Sequence, residues 1–313
     1  ELGRALSDVT TAILTGVLAL AHRWGDGIEF GIIAMGRYGG EELGFGSDAD
    51  IMYVYRPAGI DPEEAQRRAE AIVHELGRLT EDLRLPLDLD IGLRPEGKNG
   101  AIVRSLDSYR AYYERWSLTW EAQALLRARG AVGDAELLTA FEGLANQVRY
   151  PESVSAADVR EIKRIKARVE AERLPQGADP ARHLKLGRGS LSDVEWFVQL
   201  LQLQNAANVP ELRTTSTLRA LDAAVAAELV PEAEAARLRA AWLIASRARS
   251  AITLATAKTT DVLPTDRQAL EAVSRVLEYP PGSASRLEED YLRTTRLARQ
   301  VFERRFYGPR NDT

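Results

Sequence analysis

Apolar residues near the start of the chain fall at Leu6, Val9, Ile13, Leu14, Val17, Leu18 and Leu20. That spacing predicts one helix over residues 3 to about 24, closed by Gly25-Asp26-Gly27. The period then changes. Gly31 to Met35 is a short apolar run of strand length, and Ile51 to Tyr55 is a second run, β-branched and aromatic. Pro57 to Gly59 makes a turn. Helical spacing returns from Pro62 to Leu83, with Ile72, Val73, Leu76, Leu79 and Leu83 as the buried stripe and Pro86 as the break. From Leu85 to Pro95, Leu87, Leu89, Ile91 and Leu93 alternate with Asp88, Asp90 and Gly92, the two-residue period of a strand. Ala101 to Arg104 makes a further short strand. Asp107 is expected to cap a helix containing Tyr109, Tyr112 and Tyr113. Thr119 is expected to cap a helix from Trp120 to Arg129 that Gly130 stops.

From about Asp134 the pattern is helical throughout. Residues 154–174, 189–208, 214–228, 231–257, 265–278 and 285–306 are each long enough for a helix, with breaks at Pro151, Leu174-Pro175-Gln176-Gly177 and Pro280-Pro281-Gly282. The fold class expected is α+β: a mixed domain over residues 1–150, then an all-α helical bundle over 151–313.

Composition narrows the function classes. The 313 residues carry a net charge of -5, so the chain as a whole is no polyanion binder, and no nucleic-acid partner is expected. With no cysteine, thiol catalysis, disulfides and cysteine zinc sites are excluded, and a cytoplasmic location is expected. No uninterrupted apolar run approaches ~20 residues, so no membrane span is expected. The chain enters directly into a helical pattern at Glu1-Leu2-Gly3-Arg4, which suggests a piece of something longer.

Candidate chemistry concentrates between the first two strands. Gly36, Gly39 and Gly40 interrupt the apolar run, where glycines let backbone N–H groups approach an anion. Gly46-Ser47-Asp48-Ala49-Asp50 follows, and Asp48 and Asp50, two apart at the head of a strand, point to one side. Two carboxylates held that close are costly without a cation between them, and Mg²⁺ is the usual resolution. An Asp-x-Asp tripeptide by itself also suits a solvated turn. Asp88 and Asp90 share a strand face, which as an edge strand would be merely solvated, or would add a third acid to a two-metal site. Arg127 and Arg129 suit either compensation of a helix dipole or a triphosphate. Lys185-Leu186-Gly187-Arg188-Gly189 opens a helix whose first turn carries Ser192, Asp193 and Glu195. Acids there match the dipole, and the cations suit phosphate. His22, His74 and His183 lack companions and are assigned to structure.

The turn and acid pair resemble the nucleotidyltransferase superfamily that includes polymerase beta. Four blocks in order resemble, more narrowly, the glutamine synthetase adenylyltransferase family. They are Ala34-Met35-Gly36-Arg37-Tyr38-Gly39-Gly40 through Gly46-Ser47-Asp48-Ala49-Asp50; Asp90-Ile91-Gly92-Leu93-Arg94-Pro95; Thr119-Trp120-Glu121-x-Gln123-Ala124-Leu125-x-Arg127-Ala128-Arg129; and Lys185-Leu186-Gly187-Arg188-Gly189-x-x-x-Asp193-Val194-Glu195. The resemblance implies a polymerase-beta-like catalytic domain followed by the bundle. Its activity would be AMP transfer from ATP to a tyrosine of glutamine synthetase in nitrogen regulation, releasing pyrophosphate. It implies Asp48, Asp50 and Asp90 as metal ligands and catalytic acids for Mg²⁺ or Mn²⁺. Gly36, Gly39, Gly40, Ser47, Arg94, Lys185 and Arg188 become nucleotide contacts, with Asp193 and Glu195 as candidate contacts of the helical half. Glutamine synthetase is the implied target, with glutamine and a PII-type signal protein as regulators.

The family pairs an attaching half with a phosphorolytic removing half. Trp120-Glu121-x-Gln123-Ala124-Leu125, Ser192-Asp193-Val194-Glu195 and the ending Phe302 to Gly308 look like the attaching half. The removing half, or another substrate, is the alternative. One departure stands out: Gly92 occupies a position where the family usually carries arginine, so a contact there is missing or supplied by another residue.

Overall fold

The computed structural model describes residues 1–22, 26–81, 87–116 and 118–308, so the expected roles of Gly25, Leu83, Leu85 and Pro86 lie outside the described residues. The chain divides into two compact units. The first holds Glu1–Leu43 and Ser47–Pro151; the second holds Glu152–Thr313 together with the short segment Gly44–Gly46.

The first unit is mixed α and β. In order it contains α1 (Leu2–Ala21), β1 (Ile28–Ala34), α2 (Gly36–Gly39), β2 (Ala49–Pro57), α3 (Pro62–Thr80), β3 (Leu89–Asp90), β4 (Val103–Ser105), α4 (Leu106–Trp116), α5 (Thr119–Leu125), β5 (Arg129–Gly133) and α6 (Ala135–Arg149). The sheet runs β3-β2-β1-β5. β1 is antiparallel to β2 and β5, while β3 and β4 both pair parallel to β2.

The sheet is covered on both faces, which explains why its central strands read as near-continuous apolar runs. Along β2, Ile51, Tyr53 and Tyr55 face one layer, with Phe30 and Ile32 of β1, Leu14 and Leu18 of α1, and Ile72 and Leu76 of α3. Met52 and Val54 alternate to the other layer, among Tyr109 and Tyr113 of α4, Leu125 of α5 and Phe141 of α6. By length and composition α1 would pass for a membrane span, with a window mean hydropathy of 1.3. Yet Leu14, Leu18 and Ala21 are built into the core of this unit.

Three local expectations change. The alternating stretch around Asp88 and Asp90 yields only a two-residue strand, because Arg94 gathers the chain beyond it into a loop. Asp107 lies inside the first turn of α4, and the hydroxyl of Ser105 accepts the amide of Ser108 instead. The helix at Thr119 stops at Leu125, and Arg129 and Gly130 join β5, the sheet edge that apolar periodicity did not reveal. Its Arg-Gly-Ala-Val-Gly sequence is short and carries little strand propensity; pairing with β1 decides it.

The second unit is helical: α7 (Ala156–Glu172), α8 (Leu191–Asn205), α9 (Thr217–Ala226), α10 (Glu232–Thr256), α11 (Arg267–Val276) and α12 (Ala284–Phe302). α10 packs against α8, α9, α11 and α12. Its buried alanines at 235, 241, 245, 248 and 251 let neighbouring helices approach closely. Asp193, in the first turn of α8, is buried and accepts from Lys166 Nζ (2.6 Å), Arg299 Nη1 (2.8 Å) and the Gly189 amide (2.6 Å).

Candidate active site

β2 and β3 pair in parallel with Asp50 opposite Asp90, and Asp48 precedes β2 by one residue. Ligand atoms of Asp48, Asp50 and Asp90 all lie within 4.8 Å of one another. Asp48 and Asp90 are exposed and Asp50 is half-buried. Oδ1 of Asp90 accepts the Gly92 amide at 2.7 Å, which fixes that carboxylate above its own backbone. A Cβ on Gly92 would lie 2.9 Å from the same oxygen. The residue that departs from the family pattern therefore serves the third acid.

Asp50 imposes its own demand on the turn. Gly36 has φ +50°, and a Cβ there would sit 2.1 Å from Asp50 Oδ2. Here the glycine is required by a close approach as well as by backbone conformation.

Gly39 and Gly40 serve another purpose. Both are buried, and their amides donate to the carbonyls of Met35 (2.7 Å) and Gly36 (3.2 Å). A Cβ on Gly39 would lie 1.7 Å from the Arg127 carbonyl oxygen, and one on Gly40 would lie 2.7 Å from the Arg127 guanidinium. Arg127 donates from Nε to the Gly36 carbonyl at 3.0 Å and pairs with Glu42, with both side chains buried. Neither Arg127 nor Arg129 ends a helix. Arg129 lies over the ring of Tyr38, 5.8 Å from its centroid.

The other residues singled out in the sequence have partners or exposure of their own. Arg94 is buried and donates to the carbonyls of Gly100 (3.1 Å), Ile91 (2.7 Å) and Lys98 (3.1 Å), a staple for the loop behind Asp90. Ser47 lies half-buried just before Asp48. Lys185 and Arg188 are exposed on the helical unit. Asp193 is the centre of the buried ion cluster. Glu195 accepts from Trp242 Nε1 at 3.4 Å. The pairing of Glu42 with Arg127 escaped the sequence reading. Its signal was a charge beside apolar neighbours in two distant segments, Glu42-Leu43 and Leu125-Leu126-Arg127-Ala128.

Three carboxylates offer only oxygen ligands, the donor set of hard cations such as Mg²⁺ and Mn²⁺. A family model described as glutamate-ammonia ligase adenylyltransferase matches residues 2–144. A second, described as GlnD PII-uridylyltransferase, matches residues 161–306. The chain is 68% identical over 312 residues to the bifunctional glutamine synthetase adenylyltransferase/adenylyl-removing enzyme of Leifsonia xyli subsp. xyli, an overlap of 99% of this chain and 31% of that protein. Residues 2–144 of this chain carry a domain of the glutamine synthetase adenylyltransferase family. Enzymes of the same description from Streptomyces avermitilis and Mycobacterium leprae are 52% and 49% identical over 314 and 318 residues, each match covering 98% of this chain and 31% and 32% of the relative. The chain thus spans about a third of the length of these family members.

Proposed function

We propose that this chain is an AMP-attaching unit: it transfers AMP from ATP to a tyrosine of glutamine synthetase and releases pyrophosphate. The observation that carries the reading is the convergence of Asp48, Asp50 and Asp90 within 4.8 Å. The mixed unit is the catalytic domain, of polymerase-beta type, and the helical unit accompanies it. Asp48 and Asp50 would hold two divalent ions, Mg²⁺ or Mn²⁺, with Asp90 completing the set. When bound, such ions neutralise triphosphate charge and polarise the α-phosphorus.

The side chains have distinct tasks. Gly36 leaves space for the Asp50 carboxylate, and the Gly92 amide orients that of Asp90. The tyrosine oxygen bonds to the α-phosphorus as the bond to the bridging oxygen breaks. Pyrophosphate leaves with that electron pair, and Asp90 accepts the phenolic proton. Ser47 and Gly36 are the contacts proposed for triphosphate within this unit. Gly39 and Gly40 act indirectly, by admitting Arg127 beneath the turn. Lys185 and Arg188 are proposed as phosphate contacts on the family resemblance. The names of the relatives support glutamine synthetase as the target. The match of residues 161–306 to a PII-uridylyltransferase model supports a PII-type protein as regulator. The setting proposed is the cytoplasm.

The test incubates the chain with α-labelled ATP, Mg²⁺ and unmodified glutamine synthetase. Label on the target is expected, with loss of the signal on chelation. ADP release from adenylylated glutamine synthetase with phosphate and no ATP would instead assign the removing activity.

A further inference from the structure

The short segment Gly44–Gly46 belongs to the helical unit, although the residues on either side of it belong to the mixed unit. Thr253, in the last turn of α10, shares its hydroxyl hydrogen between the Arg249 carbonyl of its own helix (3.3 Å) and the Phe45 carbonyl (3.4 Å). Gly46 has φ +69°, and a Cβ there would lie 2.3 Å from Oγ1 of Thr259, 3.2 Å from its Cγ2 and 3.3 Å from its Cβ. The glycine is therefore pressed against one threonine side chain.

Thr259 is exposed, and the chain on either side of it is anchored. α10 ends on Ala257 in the left-handed region, φ 54°. Beyond it, Arg249 Nε donates to Asp261 at 2.5 Å, and the Leu184 amide donates to the Asp261 carbonyl at 2.6 Å. The Leu263 amide donates to the Arg182 carbonyl, and Arg182 Nε donates back to that of Leu263 at 3.2 Å. The segment after α10 is thus tied to Arg182 and Leu184, just before the Lys185–Gly189 block.

Only Ser47 separates Gly46 from Asp48. We propose that Thr253 and Thr259 are positioning residues for nucleotidyl transfer: they hold the Gly44–Gly46 turn, and the turn sets where the Asp48 carboxylate points. The polypeptide makes the connection. A site whose ligand sits two residues past a clamped glycine is sensitive to small shifts, since misplacement by about 1 Å costs on the order of 100-fold in rate. The inference rests on the metal role proposed for Asp48 and Asp50.

The test follows Mn²⁺ binding by calorimetry, which needs no target protein, alongside AMP transfer. Gly46→Ala is expected to weaken Mn²⁺ binding and lower kcat, each by about tenfold or more, with KM for glutamine synthetase and the melting temperature close to wild type. Adding Thr259→Ala removes the 2.3 Å contact and is expected to recover both readouts at least about threefold, leaving the backbone strain at Gly46. Thr253→Val is expected to lower kcat by roughly threefold, the scale of one weak hydrogen bond, and Thr253→Ser to restore it. Mn²⁺ binding within about twofold of wild type in Gly46→Ala, a difference too small for a displaced ligand, overturns the proposal. So does a double variant no better than Gly46→Ala. A wild-type chain that binds Mn²⁺ without moving AMP defeats the functional reading, and the Mn²⁺ series then decides this proposal by itself. A wild-type chain that binds no Mn²⁺ defeats both.

Discussion

Oδ2 of Asp50 occupies the space that a side chain on Gly36 would need, 2.1 Å from where its Cβ would begin. Gly36→Ala therefore sets a methyl group against a carboxylate, on a backbone with φ +50° that costs an L-residue about 1–2 kcal/mol. The variant should fold, since only a four-residue helix follows Gly36. It should lose Mn²⁺ affinity and AMP transfer by at least about tenfold, because the carboxylate must move from its productive place. Calorimetry and a transfer assay on the same preparation check both, and wild-type values would remove Asp50 from the proposed metal site.

The three acids repel one another when no cation is bound. Two unit charges about 4 Å apart in water interact by about 1 kcal/mol. Asp48→Asn should thus raise the melting temperature of the metal-free chain by about 2–4 °C while cutting AMP transfer below about a tenth. Scanning calorimetry in chelator and a radiolabel assay separate the two effects. A lower melting temperature in chelator would mean that Asp48 is structural.

Arg127 and Glu42 form a buried pair under the glycine turn. Arg127→Met takes a cation from the buried Glu42 carboxylate and a donor from the Gly36 carbonyl. Breaking such a pair from one side costs about 3–5 kcal/mol, and replacing both partners by apolar residues costs far less. Urea unfolding of Arg127→Met and of Arg127→Met/Glu42→Leu should show the second variant recovering much of the loss.

The helical unit should lose stability in mild acid through His183. Its Nδ1 accepts the Leu186 amide at 3.0 Å, which requires an unprotonated nitrogen. Burial pushes the imidazole below its ordinary range, with Arg249 and Lys185 in the same direction and Asp261 opposing. A depressed folded value means the stabilisation is complete above the unfolded pKa of about 6.5 and is lost as pH falls through the folded one. Melting temperatures between pH 8 and 5 should fall on the acid side. His183→Asn, which keeps an acceptor that does not titrate, should flatten that fall. Parallel curves for the two proteins would show that another group governs it.

Much of the frame was legible because burial leaves a period in the sequence. α1, α3 and the six long helices of the second unit follow apolar spacing to within a few residues at each end. The acid pair was legible because alternation in a strand puts Asp48 and Asp50 on one side. β5 was not, since five residues rich in glycine carry no period of their own. Arg94 was a nucleotide contact only by resemblance and Arg127 was open between a helix dipole and a triphosphate, because the carbonyls that surround each come from tertiary packing.

By itself the sequence determined the long helices and the two central strands, the presence of a Gly-rich turn before paired aspartates, and the resemblance to one enzyme family. These rest on local spacing and residue chemistry, which do not depend on distant contacts. Only the tertiary structure decided that Asp90 stands opposite Asp50, that Gly39 and Gly40 serve Arg127, and that Gly46 is packed by Thr259. Each of these joins residues about 40 to 210 positions apart, and what a side chain faces is fixed by packing between elements.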